Sequence, residues 1–457
     1  MSLIFIECLF LSACLIFLMG INPFVKKWKN LVLYACGGFF LTLIVSYVFL
    51  CFFEVQLSFY LIAVFSLFFV AKYLLNESGV EKAKPRKDED TFILGSESGQ
   101  LEFYYPRDNF MVLGGAGSGK TASIGKPILE QYIRYGWAGF IYDYKDYDYT
   151  KTAWNLVQKY KYPYKFYYIS FTDMSRTYRF NIHNKNVIRN ETMLFQAMTD
   201  FFNAMKPEKG NTDEWFQAAL GLLCGVAVRF YKFQGDYEKY CTLPHILNFI
   251  LMATPEQLTR FLEGDMMSKM KAGAFLGSKG SERTQSSVIF SINNYISNLA
   301  TNKNVCYVLS GNDFIYDLID PEDPKLFAVS NNFAIESMIS PIVAMLVPLA
   351  ARRIEFGNRV KFAFVLDEMT TVKVNDFQSL PSVLREYGVS FLVLTQSGTK
   401  FDKLYGKEDR VSIMANFANL FLGKTKDVEA LKYYPLFFGK EEKEEKYFRG
   451  VQFRSIQ

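Results

Sequence analysis

Residues 110–121 read FMVLGGAGSGKT: an apolar run that stops at a glycine cluster, with a lysine and a threonine directly behind it. The run predicts a short buried strand, and the residues from about Gly119 onward predict a helix. Gly114, Gly119, Lys120 and Thr121 fit the spacing G-x-x-x-x-G-K-S/T. Across Gly114, Gly115, Ala116, Gly117, Ser118 and Gly119 the chain can curl until its N–H groups face phosphate oxygens. The helix behind the loop adds its positive end. Lys120 supplies a mobile charge for the β- and γ-phosphates, and Thr121 supplies a hydroxyl ligand for Mg²⁺. The expected cofactors are therefore a nucleoside triphosphate and Mg²⁺, with the choice between ATP and GTP left open by these residues. A chance glycine loop would lack the flanking strand and helix.

A triphosphate site needs a second half, a strand ending in an acid. FAFVLDEM (362–369) provides it. Asp367 at the strand end can hold Mg²⁺, and Glu368 can orient and polarise an attacking water. A metabolite kinase has no use for that glutamate, so the pair favours hydrolysis. FLVLTQS (391–397) sets Gln396 at the end of the next strand, expected between the cradle strand and the acid strand. Its amide can touch the γ-phosphate or the water, or be a plain strand-end amide. Arg385, near a helix end before Gly388, has three readings: a pair with Glu386, plain surface, or a cation reaching a nucleotide in a neighbouring subunit.

Around these motifs, short apolar runs alternate with helical stretches, the pattern of an α/β domain with a mainly parallel sheet. The expected strands are 110–114, 139–143, 166–170, 326–330, 362–367, 391–395 and 419–423, most of them near-continuous apolar runs suited to burial on both faces. From about Asn184 to about Pro324 the alternation stops and only helical periodicity is left. This predicts an all-α insertion, with Trp215 and Phe216 in its core. The expected organisation is a membrane region over 1–76, a charged linker over 77–92, a nucleotide-binding domain from 93–183 and 325–457, and an inserted all-α domain over 184–324.

Three apolar runs precede the linker: MSLIFIECLFLSACLIFLMG, LVLYACGGFFLTLIVSYVFLCFF and FYLIAVFSLFFVAKYLL. Each is about long enough to cross a bilayer as a helix, the form that satisfies its own backbone in lipid. The first run lacks a basic leader and carries Glu7, which argues against a cleaved signal peptide. A two-span arrangement, with that run lying on the surface, stays open. Lys26, Lys27 and Lys29 follow the first run, and Lys72, Lys82, Lys84, Arg86 and Lys87 follow the third, whereas the EVQLS link carries no basic residue. That bias puts the long C-terminal part in the cytoplasm.

The bulk composition adds limits. Over 457 residues, 50% are hydrophobic and 17% aromatic, which excludes a disordered chain. A net charge of +5 permits contact with nucleic acid without arguing for it. The seven cysteines form no C-x-x-C pair and the two histidines, His183 and His245, stand alone, so neither a zinc site nor a disulfide framework is expected.

Taken in order, the membrane runs, VLGGAGSGKT, FIYDYKD, FNIHN, the helical stretch, VLDEMTTV, SLPSVLREYGVSFLVLTQS and a final NLFLG resemble the coupling proteins of type IV secretion systems, membrane-anchored ATPases of bacterial conjugation. The resemblance covers most of 105–425. It implies a RecA-like core in a hexameric ring at the bacterial inner membrane. It further implies an ATP site at each subunit boundary, and an all-α part that meets the DNA-processing complex. Single-stranded DNA with its relaxase would be the cargo, and secretion-channel membrane proteins would be partners. The resemblance puts Lys120 and Thr121 in the cradle roles, Asp367 and Glu368 in the acid roles, Gln396 at the sensor position and Arg385 at the trans-acting arginine. It sets Asp143 and Lys145 near the nucleotide, with a salt-bridged turn as their other reading. The chain departs from the family in its three runs with almost no outward loop, and in its short tail after YFRGVQF, which makes cargo selection by a tail doubtful. DNA-tracking charges are sparse: Lys206, Lys209, Lys271, Lys279 and Arg283 are candidates, more simply read as solvated surface. Two other functions stay open, an ATP-driven docking receptor for protein cargo and a chromosome-type DNA translocase.

Overall fold

A computed structural model describes residues 90–97, 99–206, 214–233, 238–396, 398–425, 431 and 434. The expected membrane runs and most of the linker lie outside the described residues. So do Lys209 and the C-terminal tail. Among the described residues no helix is long and apolar enough to cross a membrane. All of them fall in one compact unit, Lys87–Gln457.

The frame is a seven-stranded sheet. Its strands are β3 (Phe110–Leu113), β4 (Ala138–Asp143), β5 (Lys165–Ile169), β6 (Lys325–Ser330), β7 (Phe362–Leu366), β8 (Val389–Thr395) and β9 (Asn419–Leu422). Their order across the sheet is β5-β6-β4-β7-β8-β3-β9, and every neighbouring pair is parallel. The seven runs picked out in the sequence are these strands, shifted by no more than a residue or two at their ends. Alternate residues point to opposite faces of a strand, and the core divides accordingly. Met111, Phe140, Phe327, Phe364 and Phe391 enter one apolar layer, while Phe110, Ile141, Ala328, Val365 and Leu392 enter the other. Burial on both faces is why these runs read as continuous hydrophobic stretches.

The first layer extends into the helical stretch. Between 184 and 324 the described residues contain helices and no strand, the longest being Glu214–Lys232 and Glu282–Ala300. Phe201, Leu222, Ile292 and Ile296 share one apolar cluster with the sheet residues, so this helical part and that sheet face form one continuous core. The Glu336–Ala351 helix is its main bridge: from Ile339 to Ala351 it is buried almost all round, and Pro341 and Pro348 lie within it. It packs on the Glu191–Asn203 helix, and Arg352 just past its end pairs with the buried Asp200 at 2.6 Å. Phe216 is buried as expected, but Trp215 is 44% exposed. On a helix adjacent residues point about 100° apart, and only Phe216 falls on the inward stripe.

The second layer is thinner and is closed by a hairpin that the sequence pattern did not announce. β1 (Phe92–Ser96) and β2 (Gly99–Phe103) pair antiparallel. Phe92 stacks on Phe110 with ring centroids 6.0 Å apart and meets Tyr132 edge-on at 5.0 Å. Asp90 accepts a hydrogen bond from the Trp137 indole N–H at 3.0 Å and an ion pair from Lys361, which ties the chain entering the hairpin to the sheet.

Candidate nucleotide site

β3 lies between β8 and β9, with Leu113 in register with Thr395 and Leu422. The glycine loop begins there and is held from below. Gly114 N donates to Thr395 O at 3.2 Å, Gly423 N to Leu113 O at 2.7 Å, and Gly115 N to Lys424 O at 2.9 Å. A Cβ on Gly114 would come within 2.7 Å of Ser118 Oγ and 3.2 Å of Gly423 Cα, so this floor requires glycine. Gly117 and Gly119 have φ of +72° and +82°, the left-handed region that glycine enters without penalty. The helix then starts as a π-turn over Lys120–Gly125 before continuing as an α-helix over Lys126–Arg134.

Lys120 is only 8% exposed. Its ammonium donates to the carbonyl of Gly114 and, at 3.3 Å, to that of Gly115, so it lies folded over its own loop. Burial pushes its pKa below the usual lysine value, opposed by the attraction of Glu368 and Asp367. The strand order β7-β8-β3 brings the two distant sequence segments to the same end of the sheet, where the acids after β7 attract the lysine of the glycine loop.

Asp367 and Glu368 are 1% and 2% exposed. Asp367 N donates to Tyr142 O of β4 at 3.0 Å, which fixes the strand end. Neither carboxylate oxygen of Asp367 has a hydrogen-bond partner in the protein, and Oε2 of Glu368 has none either. Buried carboxylates are normally paired or metal-bound. Burial raises the Asp367 pKa to about 7, with Glu368, Asp143 and Asp148 adding to the rise and Lys145 opposing it. Glu368 has φ 47° and ψ 51°, a conformation that costs an ordinary residue about 1–2 kcal/mol. Its carbonyl accepts from Thr371 N at 2.9 Å and Thr371 Oγ1 at 2.8 Å, and that hydroxyl also bonds Tyr142 Oη at 2.7 Å. The strained turn is thus braced against β4.

Gln396 follows Thr395 at the end of β8, the strand between β3 and β7, so it stands between the glycine loop and the acids. The other expected residues divide. Asp143 is fully buried, and its carboxylate accepts Thr150 N and Thr150 Oγ1, both at 2.8 Å. It organises the turn into the Asp148–Lys159 helix. Lys145 instead turns its ammonium to Thr121 Oγ1 at 3.4 Å. Neither residue forms a salt bridge with the other; the turn is held by Asp143's hydrogen bonds.

Arg385 is not brought to this cradle. It ends the Leu380–Arg385 helix just before β8 and pairs with Asp108, just before β3, at 2.7 Å. Both lie at the opposite edge of the sheet from the glycine loop, which follows β3; four strand residues span about 13 Å. Of the readings available from sequence, the intrachain partner is Asp108 rather than Glu386. The arginine lines a cavity of about 690 Å³ with Tyr105, Arg107, Ser382 and Asn416.

Sequence reasoning missed the floor at Gly423–Thr425, which comes from the far end of the chain and carries no local signal. It also missed Tyr149, whose buried hydroxyl lies against Gly125 of the π-turn. His183 is fully buried in the core, and His245 Nδ1 shares a 2.6 Å hydrogen bond with Thr242 Oγ1 at a helix start. Among the described residues no cluster suited to a resident metal of the His/Cys/Asp/Glu type occurs. The unpartnered oxygens of Asp367 and the hydroxyl of Thr121 fit a Mg²⁺ ion that arrives with a nucleotide, since such an ion takes few protein ligands.

A parallel sheet with a glycine loop after one strand and an acid pair after the strand two places away defines a RecA-like P-loop nucleotide-binding fold. The family described as "Type IV secretory system Conjugative DNA transfer" matches residues 63–444, and the chain belongs to it. The fold is similar to that of the bacterial conjugative coupling protein TrwBΔN70, with TM-score 0.56 and 17% identity over 73% of each chain. It is similar also to the plasmid coupling protein TrwB in complex with ADP and Mg²⁺, with TM-score 0.56 and 18% identity over 75% of this chain and 76% of that one. VirB4 of Thermoanaerobacter pseudethanolicus follows at TM-score 0.50 and 12% identity, over 78% and 89%. No curated protein matches the chain in sequence.

Proposed function

We propose that the protein is a membrane-anchored ATPase that couples ATP hydrolysis to transfer of DNA, as a relaxase-bound single strand, into a type IV secretion channel during conjugation. The observation that carries the catalytic part is the buried, unpartnered Asp367–Glu368 pair acting on Lys120 across the glycine loop. TrwB, in the same fold, has been seen with ADP and Mg²⁺. When bound, Mg²⁺ supplies charge neutralisation for the phosphates. Gly114, Gly115, Ala116, Gly117, Ser118 and Gly119 wrap the phosphates with backbone N–H groups, and Lys120 leaves its loop carbonyls for the phosphate oxygens. Thr121 and Asp367 hold the metal, Glu368 aligns the water, and Gln396 reads the γ-phosphate. Arg385 faces away from its own cradle, so it serves the cradle of a neighbouring copy, in a homo-hexamer at the inner membrane. The apolar runs of 1–76 anchor the motor beside the channel proteins, and the helical part over 184–324 is the domain that meets the DNA-processing complex.

Two of the charges considered for DNA are engaged within the chain. Lys279 pairs with Glu263 at 3.0 Å, and Lys271 sits 3.8 Å over the Phe195 ring. The test is hydrolysis by the purified full chain with and without single-stranded DNA at low salt. DNA is expected to stimulate hydrolysis, Lys120→Ala and Arg385→Ala each to abolish it, and a mixed ring of the two variants to regain part of it. Hydrolysis indifferent to DNA, with only protein cargo crosslinked in cells, replaces this reading with an ATP-driven docking receptor.

A further inference from the structure

The turn after β4 sends a second lysine into the site. Lys145 is presented by a braced segment: its N–H donates to Asp143 Oδ1 at 3.3 Å, and Asp146 next to it accepts both contacts of Asn332 Nδ2 at 2.8 Å. Asp146 and Tyr147 adopt left-handed backbone, φ 43° and 65°, which makes the turn sharp. From this turn the Lys145 ammonium reaches Thr121 Oγ1 at 3.4 Å. It is also the cation whose charge most favours an ionised Asp367. One positive charge thus acts on both side chains assigned to the metal.

The neighbouring charges leave this task to Lys145. Asp148 is paired with Lys126 at 2.6 Å, and Asp143 is satisfied by Thr150. Lys120 directs its ammonium to the carbonyls of Gly114 and Gly115. Asp367 and Glu368 are left with unpartnered oxygens; both also attract Lys120, and Lys145 is the exposed cation acting on Asp367. The Lys145 side chain is exposed and is repelled by Lys120, so little holds it in place. It donates no hydrogen bond to Asp367, whose oxygens stay available to a metal.

We propose that Lys145 is a stand-in cation for Mg²⁺: in the empty site its ammonium lies against Thr121 and offsets the charge of Asp367, disfavours binding of free Mg²⁺, and withdraws when Mg²⁺ arrives with a nucleotide. The inference rests on the nucleotide site proposed above. It makes metal entry favoured by nucleotide, because the phosphates add oxygen ligands that free Mg²⁺ lacks and draw the displaced ammonium away from Asp367.

The experiment is a Mg²⁺ titration of the nucleotide-free full chain in detergent, read by thermal stability, with a parallel titration of Mg²⁺-dependent ADP binding. Lys145→Met keeps the length and removes the charge, Lys145→Gln is a second neutral variant, and Lys145→Arg keeps the charge. The neutral variants are expected to lower the half-saturating Mg²⁺ without nucleotide about tenfold, equivalent to about 1.4 kcal/mol. Lys145→Arg is expected to stay close to wild type, and adding Asp367→Asn to Lys145→Met is expected to erase the gain. Equal half-points in wild type and neutral variants overturn the proposal. So does a neutral variant whose Mg²⁺-free ADP binding falls, because Lys145 is then a phosphate ligand. A wild type that binds no nucleotide with Mg²⁺ overturns the nucleotide-site reading itself.

Discussion

With Asp367 as the proposed metal ligand, nucleotide binding is expected to depend on pH in a way that can be counted in protons. Burial raises this carboxyl from 3.8 to about 7 in the empty site. The sign follows from linkage: the empty fold is favoured where the group is neutral, and that contribution is lost as pH rises from 3.8 through about 7. A metal takes the ionised carboxylate, so binding Mg²⁺–ADP expels the proton. With a pKa near 7, about 0.9 proton is released per site at pH 6, about 0.5 at pH 7 and about 0.1 at pH 8. The apparent affinity correspondingly gains about tenfold between pH 6 and pH 8, or about 1.4 kcal/mol. The assay is isothermal titration calorimetry of Mg²⁺–ADP into the full chain, in buffers of different ionisation enthalpy at each pH. Asp367→Asn is the reference, because its proton count contains only the nucleotide's own titration. The wild-type excess over this variant is expected to fall from about 0.9 to about 0.1 across the range. An excess near zero at pH 6 refutes the reasoning, since Asp367 is then either already ionised or not a ligand.

Glu368→Gln is expected to keep Mg²⁺–ATP binding within a few-fold of wild type and to lose hydrolysis by two orders of magnitude or more, read by filter binding and phosphate release. Gly125→Ala would drive a Cβ into the Tyr149 hydroxyl and to 2.9 Å from Leu394 Cδ2, an overpacking worth about 1–3 kcal/mol; Tyr149→Phe in the same chain is expected to recover much of it, seen as a rise in melting temperature. His183 is fully buried with both ring nitrogens unpartnered, and burial lowers its pKa to about 4. Its folded value is depressed, so the stability it contributes is present above 6.5 and lost as pH falls towards about 4; His183→Phe is expected to lessen acid unfolding in that window, followed by near-UV circular dichroism.

The sheet was legible in the sequence because buried parallel strands are apolar on both faces, so FMVL, FIYD and FAFVL stand out from their surroundings. The two halves of the nucleotide site were legible for a related reason: glycine, lysine and acid types are imposed locally by phosphate and metal chemistry. The β1–β2 hairpin was not, since GQLEF in β2 has no buried residue and reads as loop. Trp215 was misplaced because helical periodicity marks a stripe without fixing which of two adjacent aromatics turns inward. The floor of the glycine loop at Gly423–Thr425 and the Asp108–Arg385 pair join segments distant in sequence, and their geometry exists only after the sheet order is set. The different destinations of Asp143 and Lys145, two residues apart, likewise depend on partners distant from the motif's own pattern, Thr150 for one and Thr121 for the other.

The central claim is that the glycine loop and the acid pair form one triphosphate pocket completed by a neighbouring copy. Its most direct test is the structure of the assembled full chain carrying Glu368→Gln with Mg²⁺–ATP. The account predicts a γ-phosphate contacted by Lys120, a metal held by Thr121 and Asp367, and Arg385 of the adjacent subunit released from Asp108 and turned to the phosphate. Nucleotide bound elsewhere, or bound here with every Arg385 still on its own Asp108 and remote from any phosphate, would contradict it.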